Sequence, residues 1–374
     1  MKLFLSFLIS TTFGHSIILN NNLKSNLNSH QLDIQYQIDE QLESHTKKFM
    51  ENNEYEDIEE IEIPMIFHVV YNNEDEYSIE DHSFKLNQQL IQTYVVDQLN
   101  EDYNLENEDR FETPEVWQDL MADFKINFVI HKIIYVNSYL ELDADDDSKL
   151  NTVKFDKNGG SNVIDPELNL NVWIVNILPM STGNYLMGYA QFASSFKYHK
   201  ETDGYVLNIR SLLLSMNGYG DRTSTHEIGH WMNLRHIWGD GGCDVDDGVA
   251  DTPNSDTSHI ECGGSENCTY PETSSCGSAD MFMNYMSYGN EQYMFTKGQM
   301  LRARAVFAEG GPRHSMVTRK KYTNDDNNVI IWYIVAFICL TFMIYFIYHS
   351  VYRCILKYRL REMDELADHG ENMI

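Results

Sequence analysis

The run Thr225-His226-Glu227-Ile228-Gly229-His230-Trp231-Met232-Asn233-Leu234-Arg235-His236 gathers the side chains of this sequence best suited to chemistry. Positions i and i+4 of an α-helix share a face, so His226 and His230 can turn imidazole nitrogens toward one Zn2+. Glu227 then sits beside the ion without having to bind it, where it can take a proton from water activated there. A third ligand is needed. His236 comes too far after His230 to reach the same point along a straight helix, so the chain must bend sharply between them. Asn233 is the expected turning point, because Asn tolerates left-handed backbone better than any residue except Gly. With 14 His in 374 residues, random order yields His-Glu-x-x-His about 0.04 times per chain, and adding the third His lowers that to about 0.001.

A helix that presents such groups needs a sheet to lie on. Ile61 to Tyr71 is a β-branched and aromatic stretch that predicts a strand. Leu86, Leu90, Ile91, Tyr94, Val95 and Leu99 recur at helical spacing after it. Phe124 to Ile134 and Leu168 to Leu178 predict further strands, with Leu186 to Phe192 and Tyr205 to Ile209 as two short ones. No internal repeat is visible. The order strand, helix, strands, helix predicts an α/β or α+β domain running to roughly Gly311.

Charge and hydropathy bound the setting. Lys and Arg number 27 against 57 Asp and Glu, a formal net charge of −30. So acidic a chain repels phosphate backbones and anionic lipid surfaces, which argues against nucleic acid as a partner and against attachment through a basic face. A hydrophobic content of 43% rules out wholesale disorder. Residues 1–16, with Lys2 before the apolar run Leu3 to Ile9 and small residues at Gly14 and Ser16, predict a secretory signal peptide. Residues 17–60 are an acidic stretch with no visible core, expected to be a linker or a removable prosegment. Residues 329–349 contain no Asp, Glu, Lys or Arg and are long enough to cross a bilayer as a single helix. With the signal removed, residues 61–312 face the extracellular or luminal side, 313–328 form a juxtamembrane linker and 350–374 a cytoplasmic tail. This is type I single-pass topology. Nothing in the residues fixes an oligomeric state.

The motif resembles the metzincin zinc proteases, whose signature is His-Glu-x-x-His-x-x-Gly-x-x-His followed by a Met-turn. Among them the chain is similar to the pappalysin (cytophagalysin) family. The residues that carry the resemblance are Gly220 to His226, Trp238-Gly239-Asp240, Val249 to Pro253, Asn284-Tyr285-Met286-Ser287-Tyr288, Met294 to Gln299, Gly188 to Phe192, Ile63 to Tyr71 and Leu99 to Tyr103. It extends over roughly residues 60–310. It implies an α+β metzincin-like fold, a twisted mixed sheet plus helices, with the zinc helix at the cleft and a Met-turn beneath it. His226, His230 and His236 become the ligands of one catalytic Zn2+ and Glu227 the general base and acid. Met286 becomes the Met-turn residue, Tyr288 a stabiliser of the oxyanion, and Gly188 to Phe192 the edge strand that pairs with extended protein or peptide substrate. Asn233 stands where the family usually has Gly. The loop Gly289 to Tyr293 lacks the family's frequent acid pair and Cys, so a preference for basic residues is not carried over. No Cys precedes Cys243. A prosegment thiol therefore cannot cap the zinc, and Asp33 or Asp39 is the expected stopper if residues 17–60 confer latency.

Cys243, Cys262, Cys268 and Cys276 cluster between the motif and the Met-turn, an even number that reads as two disulfides in an oxidising lumen with three pairings open. The resemblance favours Cys243 with Cys268, leaving Cys262 with Cys276. Asn267-Cys268-Thr269 is a glycosylation sequon. Asp240, Asp244, Asp246, Asp247 and Asp251 crowd the same loop. Some relatives bind Ca2+ nearby, but the spacing is not that of an EF-hand, and a solvated acidic loop accounts for it equally well. The expectation is a membrane-anchored zinc metalloendopeptidase that acts on extracellular or luminal proteins. The alternative is a catalytically silent ectodomain serving in adhesion or as a receptor.

Overall fold

The computed structural model describes residues 29–371, apart from 73–76, 80, 81, 85, 265 and 266. The signal peptide expected at 1–16 lies outside the described residues. The chain divides into two compact units, the first ending at Val317 and the second comprising Thr318–Ile374.

Unit one is built on a five-stranded sheet. Its strands in chain order are β1 (Ile61–Tyr71), β2 (Ile126–Asn137), β3 (Leu170–Val175), β4 (Gly188–Ala190) and β5 (Tyr205–Asn208). The spatial order is β2-β1-β3-β5-β4. Four strands run parallel, with Ile63 opposite Phe128, Phe67 opposite Val172 and Trp173 opposite Val206. Only β4 is antiparallel, pairing Tyr189 with Val206 at the sheet's edge. Inner parallel strands are covered on both faces and so read as continuous apolar runs. Every residue of β3 is accordingly buried. One face carries Phe67, Val172, Ile174 and Leu207 against helical residues Leu99, Tyr103, Ile228 and Trp231. The other carries Val70, Trp173, Val175 and Val206 against Leu150, Val153 and Tyr189. Each such side chain, fully buried, contributes about 1.5–3 kcal/mol relative to exposure.

Five helices matter to the site: α1 (Ser29–Asn52), α2 (Gln98–Tyr103), α3 (Ile209–Met216), α4 (Thr223–Trp231) and α5 (Lys297–Arg304). The acidic stretch expected to be without a core is corrected by α1. It contains no Gly or Pro and is rich in Gln, Glu, Leu and Lys, all good helix formers. It packs on α5 and the segments 193–195 and 305–307. Gln35, Leu42 and Thr46 are buried, and the His45 ring hydrogen-bonds the Ala305 carbonyl at 3.0 Å. Two of these three buried residues are polar, which is why hydropathy does not reveal the face. Asp39, one expected stopper, accepts the Gln35 amide at 2.9 Å within α1. The side chain of Asp33 lies outside the described residues.

The expected boundary at residue 312 also moves. Arg313 is buried and binds Asp203 through two hydrogen bonds of 2.7 and 2.9 Å, and Met316 is buried in the same core, so the first unit takes in the start of the expected linker, as far as Val317. The last helix, His314–Glu371, contains within unit two the stretch Val335–Lys357, which is long and apolar enough to cross a membrane, with mean hydropathy 1.8. Cys339 and Cys354 are exposed free thiols there.

Candidate active site

Helix α4 starts where Asp221 Oδ1 accepts the Thr223 amide at 3.0 Å and the Ser211 hydroxyl of α3. It ends in a left-handed residue, Asn233, at φ +74°. The Leu234 amide donates to the Gly229 carbonyl and the Asn233 amide to the His230 carbonyl, both at 2.9 Å. This is the Schellman arrangement, which turns a chain back across its own helix end. The turn carries His236 to the face that holds His226 and His230.

The three imidazoles converge. Their Nε2 atoms lie 3.0 Å (His226–His230), 3.1 Å (His230–His236) and 3.2 Å (His226–His236) apart. Each Nδ1 meets an oxygen acceptor: the Tyr285 carbonyl at 2.7 Å for His226, the Leu234 carbonyl at 2.9 Å for His230, and Asp240 Oδ1 at 2.7 Å for His236. An Nδ1 that donates leaves Nε2 with a lone pair, so three lone pairs point at one spot. Burial pushes the His226 imidazole down to about 4 and holds those of His230 and His236 well below the ordinary imidazole range, so burial favours the neutral rings that ligands must be. Three neutral acceptors facing each other repel unless a cation sits between them. The residues therefore fit Zn2+, and among the described residues they form the one group placed to hold a metal.

Glu227 follows His226 on the helix and is buried. Its Oε2 has no hydrogen-bond partner among the described residues, and burial pushes the carboxyl up to about 8. Strand β4 runs against it: a Cβ added to Gly188 would lie 3.1 Å from Glu227 Cγ and 2.7 Å from Thr223 Cγ2. Only Gly allows so close an approach. Met286 is fully buried under α4, where a Cβ on Gly229 would fall 2.5 Å from its sulfur. The Tyr288 ring stands edge-on to His236 at 4.7 Å and 5.4 Å from the His226 ring. All six residues singled out in the sequence as a hydrolytic site are thus brought together.

Several neighbours are given no role at this site by the sequence. Trp238 stacks on His236 at 4.1 Å and 7°. Asp240, read as one acid of a solvated or calcium-binding loop, faces His236 instead. Arg302 donates from Nε to the Asn233 carbonyl at 2.9 Å and pairs with Glu43 of α1, which also binds Arg235. Two of the remaining loop acids are engaged within the fold. Asp251 accepts Thr296 Oγ1 at 2.6 Å and the Gly298 amide at 2.8 Å, holding the start of α5, and Asp247 accepts the Val249 amide and the Thr252 hydroxyl. Among the described residues they gather no calcium cage.

The disulfide pairing favoured by the resemblance is corrected. Cys243 bonds Cys276 and Cys262 bonds Cys268, each with Cα atoms 5.2 Å apart. Closing the short separation of 6 residues between Cys262 and Cys268 costs less chain entropy than either longer pairing favoured by the resemblance. Asn267 is exposed within it.

Residues 154–308 match the family model described as Peptidase_M43, Pregnancy-associated plasma protein-A. Over 150 residues the chain is 31% identical to an extracellular metalloprotease of Arthroderma benhamiae, covering 37% of this chain and 48% of that protein. It is 38% identical over 86 residues to one from Arthroderma otae, covering 22% and 29%. The chain thus spans less than half the length of these curated relatives. Among solved structures, mature mirolysin of Tannerella forsythia in complex with a cleaved peptide is 31% identical with a TM-score of 0.57, over 70% of this chain and 96% of that one. A promirolysin mutant from the same organism is 29% identical with a TM-score of 0.63, over 84% and 98%.

Proposed function

The chain belongs to the pappalysin family of metzincin zinc metalloproteases, and from that premise we propose that it is a membrane-anchored zinc metalloendopeptidase hydrolysing extracellular or luminal proteins. The observation that carries this reading is the convergence of three Nε2 atoms, each ring fixed from behind by an acceptor, beside a buried carboxylate with an unpartnered oxygen. We assign His226, His230 and His236 as ligands of one Zn2+. Bound there, the ion would supply Lewis acidity, polarising the scissile carbonyl and acidifying water.

The chain's own groups do the rest. With a cation bound beside it the buried Glu227 carboxyl would ionise, take the proton of the attacking water and hand it to the leaving amine. Strand β4 offers its outer edge to extended substrate through main-chain hydrogen bonds, and Gly188 keeps that edge against Glu227. Tyr288, with its ring against His236, is assigned to steady the oxyanion. Met286 gives the metal site its apolar floor. The stretch Val335–Lys357 serves as the membrane anchor, and Asn267, exposed in its loop, as a glycan acceptor. Residues 17–60 are read as a prosegment. This is supported by the match to promirolysin, which covers more of the chain than the match to the mature form does.

The test uses the full chain in detergent with a denatured protein as substrate. Cleavage should vanish with chelator and return with Zn2+, and Glu227→Gln should lower turnover by about 10²–10⁴-fold while leaving zinc bound. A chain that binds zinc stoichiometrically but cuts no protein or peptide would instead be the silent ectodomain.

A further inference from the structure

The segment Leu99 to Tyr103 belongs to the resemblance yet has no part in the chemistry so far. It forms α2, and its Asp102 is buried beneath the zinc helix at 2% exposure. Two hydroxyl donors and one guanidinium, from two other parts of the chain, converge on that carboxylate. The Thr225 hydroxyl donates to Oδ2 at 2.6 Å, and the Tyr285 hydroxyl donates to Oδ1 at 2.9 Å. Arg222 Nε lies 3.3 Å from Oδ1, and the same guanidinium reaches Asp109 at 2.9 Å. Next to Asp102, the Tyr103 hydroxyl donates to the Thr225 carbonyl at 2.8 Å, so Thr225 is held at both its side chain and its backbone.

Both tethered residues adjoin the metal site. Thr225 immediately precedes His226 on α4. Tyr285 immediately precedes Met286, and its carbonyl is the acceptor of His226 Nδ1 at 2.7 Å. His226 is therefore fixed from two directions, along the helix through Thr225 and through its ring by the Tyr285 carbonyl. Both paths return to one carboxylate. A buried carboxylate that accepts several charged or hydroxyl donors is a stiff anchor, since any displacement leaves a partner unsatisfied in a medium that cannot solvate it.

Resting on the zinc-protease reading, we propose that Asp102 is a positioning residue which clamps the first turn of the zinc helix to the Met-turn and so sets the His226 ring in ligand geometry. Asp102 touches neither substrate nor metal. Its effect passes through Thr225 and Tyr285, as partners behind metal ligands commonly act.

The experiment takes the full chain in detergent as wild type, Asp102→Asn, Tyr285→Phe and the double variant. It measures Zn2+ affinity by competition with a chromophoric chelator, the visible absorption of the Co2+-loaded protein, and kcat and KM separately on a peptide. Asp102→Asn should weaken zinc binding about 10–100-fold, the range seen when partners behind a ligand are removed. The Co2+ bands should shift, and kcat should fall while KM stays within about twofold. Tyr285→Phe, which removes one oxygen and no charge, should show the same changes in smaller degree. The double variant should bind zinc no more weakly than Asp102→Asn alone to within about twofold, because both act on one path. Unchanged zinc affinity and Co2+ absorption in a folded Asp102→Asn chain would overturn the proposal and leave Asp102 a support of the fold. Should that variant not fold, Tyr285→Phe decides on the same readouts. A wild-type chain that takes up no zinc overturns the protease reading itself, and that result appears before any substitution is compared.

Discussion

The two ends of α4 are held by opposite charges. At its start, Asp221 caps Thr223 and Asp102 takes the Thr225 hydroxyl, so carboxylates meet the end where amides are unpaired. At its finish, Arg313 Nε donates to the Trp231 carbonyl at 3.1 Å and Arg302 Nε to the Asn233 carbonyl at 2.9 Å, so guanidiniums meet unpaired carbonyls. This complements the helix dipole at both ends. The ends differ in where their counter-charges live. Asp102, Asp221 and Asp203 all lie within the protease domain, but the carboxylate paired with Arg302 is Glu43, on α1, in the stretch read as a prosegment. One end of the zinc helix is fastened from within, while the other rests partly on a neighbour that processing would remove.

The heaviest fastening at the C-terminal end is the pair of Arg313 and Asp203, neither of which has any side-chain exposure. Arg313→Met would strand Asp203 in the interior and should cost about 3–5 kcal/mol in denaturant titration, as breaking a buried pair does. A loss below about 1 kcal/mol would show that the pair behaves like a surface one and contributes nothing special to this end. The turn itself comes next. The Asn233 side-chain amide nitrogen makes no hydrogen bond among the described residues, so substitutions there bear chiefly on the backbone. Asn233→Ala should destabilise the metal-free chain by about 1–2 kcal/mol, the cost of left-handed backbone, and Asn233→Gly by roughly nothing. Equal effects of the two would mean that the turn is dictated by its surroundings.

The smallest effect is expected at the contingent contact. Burial would raise the Glu43 carboxyl, but Arg302 and Arg235 outweigh it and hold the group below its ordinary value of 4.5. Its stabilisation is therefore complete above 4.5 and lost as pH falls through the lowered folded value. Glu43 is 37% exposed, so Glu43→Gln should cost only about 0–1 kcal/mol at neutral pH, less in high salt. Wild type and variant should converge below pH 4.5. A gap that does not narrow as pH falls below 4.5 would mean that the charge of Glu43 is not what matters.

The helical end that carries two ligands could be read from residue spacing, and so could the bend at Asn233, because both follow from backbone geometry over a dozen neighbours in sequence. The partners that hold this segment in place could not. Asp102, Arg302 and Arg313 reach it from distant parts of the chain, and each looks like any surface charge until the fold buries it. The strands were legible because inner parallel strands are continuously apolar, whereas α1 hides its packing face behind Gln35 and Thr46. The cysteine pairing was undecidable from four positions, since spacing alone leaves three solutions.

The crosslinks in this molecule are local and nested, Cys262–Cys268 lying inside Cys243–Cys276. Neither reaches the sheet or the three imidazoles. The loop they close does meet the segment that carries Tyr288, where the Tyr288 amide donates to the Ser258 carbonyl and the Asn290 amide to the Cys262 carbonyl, both at 2.9 Å. Reduction of these crosslinks should therefore be felt first in the backbone that carries Tyr288 and Asn290.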